Sequence, residues 1–195
     1  MIPDLFFEYI NKNSQEKANE LFLKACNDGD FTKVKTLLTS SSLNKHADIH
    51  YQKDLGLQFA CGKNHKNIIS YLLTSPELTE HADVTANNNC LLMFYFNCEN
   101  LDMVRYLLTS PELKKNASLD SHYEEAFINA CEENHYACLD FLIVEMNMPK
   151  NEQISKYLNT TPYAYAEKLF SMREVNKELV KELSSAKIYI KPVKL

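Results

Sequence analysis

Glycine is scarce in this chain, with three in 195 residues. A loop that cradles phosphate needs glycines so that successive backbone N–H groups can approach the anion, and this scarcity excludes one. Six cysteines are present, but no two form a Cys-x-x-Cys pair. In a chain long enough to build its own core, that pattern fits free thiols in a reducing compartment. Positive charge is in deficit: 21 basic residues stand against 26 acidic ones, a net charge of -5. Nucleic-acid binding needs a basic face that displaces counterions from phosphates, so no nucleic-acid partner is expected. The longest apolar run extends only from Cys90 to Phe96, far short of the roughly 20 residues that cross a bilayer. At the N-terminus no basic segment leads the chain, and Asp4 and Glu8 interrupt its apolar residues, so no secretory signal is read there. These absences predict a protein of the bacterial or host cytosol with no membrane partner.

The balance that remains, 45% hydrophobic and 24% charged, is that of a folded chain with one sizeable core. Its organisation comes from self-comparison. A shift of 35 residues superposes the apolar positions four times without a gap. Phe22, Leu57, Leu92 and Phe127 form one set, and Ala25, Ala60, Tyr95 and Ala130 another. Cys26, Cys61, Phe96 and Cys131 follow, then Val34, Ile69, Val104 and Leu139, and then Leu37, Leu72, Leu107 and Leu142. Further on, Leu43, Leu78, Leu113 and Met148 align, as do Ile49, Val84, Leu119 and Ile154.

Inside each unit the spacing is helical. Leu57, Ala60 and Cys61 stand at i, i+3 and i+4, and Ile69, Leu72 and Leu73 repeat the pattern on a second helix. Between the two helices, Gly29, Asn64 and Asn134 occupy a slot suited to the left-handed backbone, while Glu99 fills it in the third unit and predicts strain. Ser75-Pro76-Glu77 and Ser110-Pro111-Glu112 have the composition of helix starts, so each predicts an extra helical turn that tucks Leu78 or Leu113 into the stack.

These residues resemble the ankyrin repeat family. Ala60-Cys61-x-x-Asn64-His65 stands for its A-A-x-x-G-H, Ile68-Ile69-x-x-Leu72-Leu73 for I-V-x-x-L-L, and Ala82-Asp83-Val84 for A-D-V. The resemblance spans Asn19 to Asn151. The family's T-P-L-H turn is absent, and the repeat is 35 residues against the usual ~33. Low glycine, abundant Asn and Lys, and the repeated Thr-Ser-Pro-Glu-Leu words resemble the divergent ankyrin proteins of phages and bacteria.

The predicted fold is therefore all-α: an ankyrin-type helix-pair solenoid of about four repeats with helical caps at both ends. One domain covers 1–195, with a capping helix in 1–13, repeats over 19–151, a degenerate capping helix pair in 152–186 and a tail in 187–195. That pair is read as opening at Pro162, with Tyr163, Ala166, Leu169 and Phe170 on its first helix and Val175, Leu179, Val180 and Leu183 on its second. Its outer face is expected to be polar, as a solenoid end requires.

No catalytic constellation stands out, and neither a cofactor nor a metal is expected. Cys26, Cys61 and Cys131 read as small core residues, His65 and His135 as turn residues bonded to backbone, and His46 and His81 as structural residues of the connectors. Glu124-Glu125 and Glu132-Glu133 read as a solvated acidic face. The resemblance implies a protein-binding module that uses its concave face and connector tips. One residue before the small-residue slot stand Lys24, Phe59, Phe94 and Asn129. Phe59 and Phe94 are either aromatic anchors on that face or core residues between repeats. The tips offer Tyr51, Lys53, Asn87, His122 and Tyr123. Tyr95 and Phe96 occupy slots that are small elsewhere, predicting a change of curvature or a partly exposed aromatic cluster. Two further readings are a phage- or pathogen-encoded chain that inhibits a host factor, and a metal- or small-molecule-dependent enzyme, which would need His and Cys side chains converging on a pocket.

Overall fold

The computed structural model describes residues 4–161 and 163–187. The expected Pro162 helix start, the 188–195 part of the tail and the first three residues of the N-terminal cap lie outside them. Among the described residues every regular element is helical. In chain order these are α1 (Asp4–Lys12), α2 (Gln15–Asp28), α3 (Phe31–Thr39), α4 (Tyr51–Gly62), α5 (Lys66–Thr74), α6 (Ala86–Asn97), α7 (Leu101–Thr109), α8 (Tyr123–Glu132), α9 (Tyr136–Asp140), α10 (Glu152–Thr160) and α11 (Ala164–Lys187). A π-helical turn, Phe141–Glu145, continues α9. The chain packs as two compact units, Met1–Phe94 with Asp102–Ser118, and Tyr95–Leu101 with Leu119–Leu195.

In the first unit α2 pairs with α3 and α4 with α5, while α2 packs on α4 and α3 on α5. The residues that return every 35 positions form the core: Phe22, Leu57 and Leu92, with Val34, Ile69 and Val104, are all buried. Burial of each such side chain stabilises by about 1.5–3 kcal/mol. Each helix pair turns through a left-handed residue, at Gly29 (φ 77), Asn64 (φ 58), Glu99 (φ 53) and Asn134 (φ 59). The strain expected at Glu99 is real in kind, because an L side chain resists this region.

Three periodic hydrogen-bond sets hold the connectors. The N–H groups of Ala47, Ala82 and Ala117 donate to the carbonyls of Leu37, Leu72 and Leu107 at 2.8, 2.9 and 2.9 Å. Nε2 of His46 and of His81 lies 2.9 Å from the carbonyl oxygens of Ser40 and Ser75, and the Asn116 amide takes that place on Ser110 at 3.0 Å. The structural role expected of the connector histidines is thereby explained. The third set has no counterpart in the sequence reading: Asn19, Asp54 and Asn89 accept the N–H groups of Asp48, Asp83 and Ser118 at 2.8, 3.0 and 3.4 Å. Each clasp ties the start of a first helix to the connector that leads into the following repeat.

The Ser-Pro-Glu-Leu segments differ from expectation. Each is a single turn, closed by Leu78 N–H to Ser75 O at 3.2 Å and Leu113 N–H to Ser110 O at 3.4 Å, with no helix. The serine hydroxyls do accept the N–H groups of Glu77 and Glu112. The chain must then bend back so that Ala82 and Ala117 reach the second helix, which stops propagation. Leu113 is buried and Leu78 half-buried, so the apolar half of the expectation stands.

In the second unit α8 packs on α9 and α10, and α11 lies along α9 and the π-helical turn. Phe127 packs between Tyr157 and Phe170, at centroid distances of 6.2 and 6.0 Å. The C-terminal segment requires a correction. Ala164–Lys187 is one continuous helix, not two, because nothing between Ser171 and Glu174 breaks helical hydrogen bonding. The helix before it, α10, begins where the Asn151 side chain caps Ile154 N–H at 3.0 Å.

Candidate protein-binding face

A first helix buries the side that carries Leu57, Ala60 and Cys61, which leaves its opposite side to solvent. Phe59 falls on that outer side of α4 and Phe94 on that of α6, 36% and 40% exposed. Each ring is thus partly open to solvent rather than enclosed between repeats. Together with Leu55, Gln58, Cys90 and Leu91 they line one open cleft of about 280 Å³. Leu55 and Cys90 were not singled out from sequence. Each precedes its phenylalanine by four residues, so helical spacing was the available signal.

Lys24, third member of the same column in this unit, is exposed and paired with Asp28 at 2.7 Å. It lines a separate cleft of about 290 Å³ with Phe6, Tyr9 and Leu21, so it does not share the phenylalanine site. At the connector tips the backbone is unusual. Gln52, Lys53 and Asp54 are all left-handed (φ 52, 58 and 59), as are Asn87, Asn88 and Asn89 (φ 50, 58 and 56). Asparagine tolerates this region better than most residues, which suits the second triplet. Lys53 and Asn87 are exposed there and Tyr51 is half-buried. Asp54 is buried at the base of its tip, bonded to His50 Nδ1 at 2.9 Å. Desolvation pushes its carboxyl above the usual aspartate value, against the Asp83 N–H bond and His50.

Two expected contact residues are withdrawn. Tyr95 is 3% exposed, because its position on α6 is the inward one that Ala25, Ala60 and Ala130 occupy elsewhere. Phe96 is equally buried and packs against Phe141 at 6.5 Å between centroids, so no aromatic cluster is exposed there. His122 is buried as well: its Nδ1 lies 3.5 Å from Glu125, and its Nε2 has no hydrogen-bond partner. In the second unit Tyr123 and Asn129 are half-buried. His135 contacts the Glu99 carboxylate at 3.6 Å, whereas His65 does bond to backbone, at Asn27 O, 3.0 Å away. Glu125, Glu132 and Glu133 face solvent, and Glu124 accepts from Asn151.

Cys26, Cys61 and Cys131 are buried and form no disulfide, as core residues should, and burial pushes Cys26 and Cys131 up to about 12. Among the described residues no three His, Cys, Asp or Glu side chains are placed to hold a metal ion. Nor is any described helix long and apolar enough to cross a membrane.

A family model described as ankyrin repeats (3 copies) matches residues 21–121. The chain belongs to the ankyrin repeat family. Ankyrin repeats are in general protein–protein interaction modules, and typically non-enzymatic scaffolds. No curated protein and no solved structure matches this chain. For an ankyrin repeat chain the exposed side of the first helices is the side to examine for a partner. Here it carries two adjacent aromatic rings.

Proposed function

We propose that this ankyrin repeat chain binds another protein through the outer side of its first helices, with Phe59 and Phe94 as anchors. The observation that supports this is their shared cleft: two large rings from successive repeats, each over a third exposed, with apolar neighbours Leu55, Cys90 and Leu91. Aromatic side chains in such settings supply most of the free energy of association, because they exclude water over a large area at little entropic cost. Tyr51, Lys53 and Asn87 at the tips of the same unit add adaptable polar contacts. A finer reading makes the partner a host factor inhibited by a phage- or pathogen-encoded chain, and it rests on composition and resemblance.

Site-specific photo-crosslinking tests the face. A benzophenone side chain placed at residue 59 or 94 should capture the same partner on irradiation. One placed at Thr32, exposed on α3, should capture little. Equal capture from Thr32, or none from 59 and 94, contradicts the proposal.

A further inference from the structure

The two helices that form the aromatic cleft carry charge of one sign. Helix α6, Ala86–Asn97, has no Asp, Glu, Lys or Arg at all. On α4 the acid, Asp54, is buried, which leaves Lys53 and the capping residue Lys63 as the exposed charges. These helices therefore present positive charge beside Phe59 and Phe94, whereas the whole chain has a net charge of -5. The cleft itself, about 280 Å³, is smaller than the ~300–1,000 Å³ of small-molecule sites. Gln58 is its one amide. Such a cleft suits a protruding apolar side chain of another protein.

Both lysines stand next to the cleft. Lys63 donates its backbone N–H to Phe59 O at 3.1 Å, one helical turn beyond the ring. Gln58, which lines the cleft, donates its side-chain amide to Lys53 O at 2.9 Å. Among the described residues neither ammonium pairs with a carboxylate. The neighbouring α2 differs: its Lys17 and Lys24 are met by Glu20 and Asp28, each at 2.7 Å, and Glu16 is exposed. An unpaired cation at the rim of an apolar cleft is open to a partner's carboxylate, and such rim charges steer encounter and set specificity.

We infer that the partner presents an acidic segment, with an apolar residue seated between Phe59 and Phe94 and Asp or Glu on both sides, facing Lys53 and Lys63. This rests on the aromatic face proposed above and names the chemistry that it selects. The two lysines are ten residues apart, and the rise of a helix separates them by roughly 15 Å. An extended chain covers that distance in about five residues. The acids therefore lie two or three residues to either side of the apolar anchor.

Selection from a phage-displayed library of random 12-residue peptides on the full chain tests this, with Phe59→Ala/Phe94→Ala as counter-selection. Peptides retained through the two rings should hold an apolar residue flanked by Asp or Glu, enriched about twofold or more over the starting library. Lys53→Glu/Lys63→Glu should weaken those peptides by about tenfold or more and select Lys and Arg in the flanks. Lys53→Gln/Lys63→Gln should give a smaller loss in the same direction, and helical content should be unchanged in both. Ring-dependent peptides with neutral or basic flanks, or with affinity insensitive to Lys53→Glu/Lys63→Glu, overturn the acidic segment and leave the aromatic face standing. A library that yields no ring-dependent peptide overturns both. Concentration-dependent dimers of the chain that are lost with Phe59→Ala/Phe94→Ala would make a second copy the occupant and contradict the inference.

Discussion

The His65 imidazole covers Gly29 so closely that a Cβ built on the glycine would lie 2.7 Å from ring Cε1. Gly29 also has φ +77, so two constraints act on one atom. Gly29→Ala is expected to destabilise by about 2–4 kcal/mol, the left-handed penalty plus the overpacking cost. Urea denaturation should show the loss, and His65→Ala in the same chain should restore the steric part. Gly62, with nothing near its absent Cβ, is the control: Gly62→Ala should leave stability unchanged or slightly raised.

Gly56 tests close packing without the backbone effect. A Cβ there would sit 2.5 Å from the Phe22 ring of the preceding repeat. Gly56→Ala should cost about 1–3 kcal/mol, and Phe22→Leu should relieve part of it. If Gly56→Ala melts like the parent, α2 and α4 do not approach as described.

Glu99 occupies the left-handed slot filled by Gly29, Asn64 and Asn134 in the other repeats. Glu99→Gly removes the Cβ conflict and should raise stability by about 1 kcal/mol, despite losing the His135 contact. A lower melting temperature for this variant would show that the carboxylate contact outweighs the strain.

Asp54 links stability to pH. Its carboxyl is raised above 3.8 by burial, so the folded chain keeps that proton to higher pH than the unfolded chain does. The penalty of the buried charge is complete at neutral pH, and stability attributable to Asp54 rises as pH falls through the folded value toward 3.8. Asp54→Asn keeps an acceptor for Asp83 N–H, as Asn19 and Asn89 do at equivalent positions, and abolishes this slope. Relative to Asp54→Asn, the parent should gain stability between neutral pH and about pH 4. Asp54→Ala should lose about 1–2 kcal/mol at neutral pH, since the buried N–H is left unmet. Parallel stability–pH curves for parent and Asp54→Asn would contradict the linkage.

Most of the helix-pair fold was legible because packing has a period: residues that return after 35 positions must meet equivalent neighbours, so Phe22, Leu57 and Leu92 declared a core. The turn residues Gly29, Asn64 and Asn134 were legible for a second reason, since few residue types accept a positive φ. Spacing could not decide Phe59 and Phe94, which differ from the buried Ala60 and Tyr95 by one residue, or 100° of helix rotation. For Tyr95 and His122 residue type suggests contact, while position dictates burial. Three left-handed residues in succession at Gln52–Asp54 left no pattern to read: glutamine and lysine do not favour that backbone. The continuity of α11 is not legible from its apolar residues alone, and it follows because no residue that stops a helix stands between Ser171 and Glu174.

Phe59→Ala/Phe94→Ala is the variant that separates surface from core. Its affinity for the crosslinked partner and its melting temperature should be measured on the same preparation. If the two rings are anchors, affinity falls by roughly thirtyfold or more and melting moves by at most about 2 °C. Unchanged affinity with melting lowered by about 8 °C or more would make the pair part of the core and contradict the proposed face.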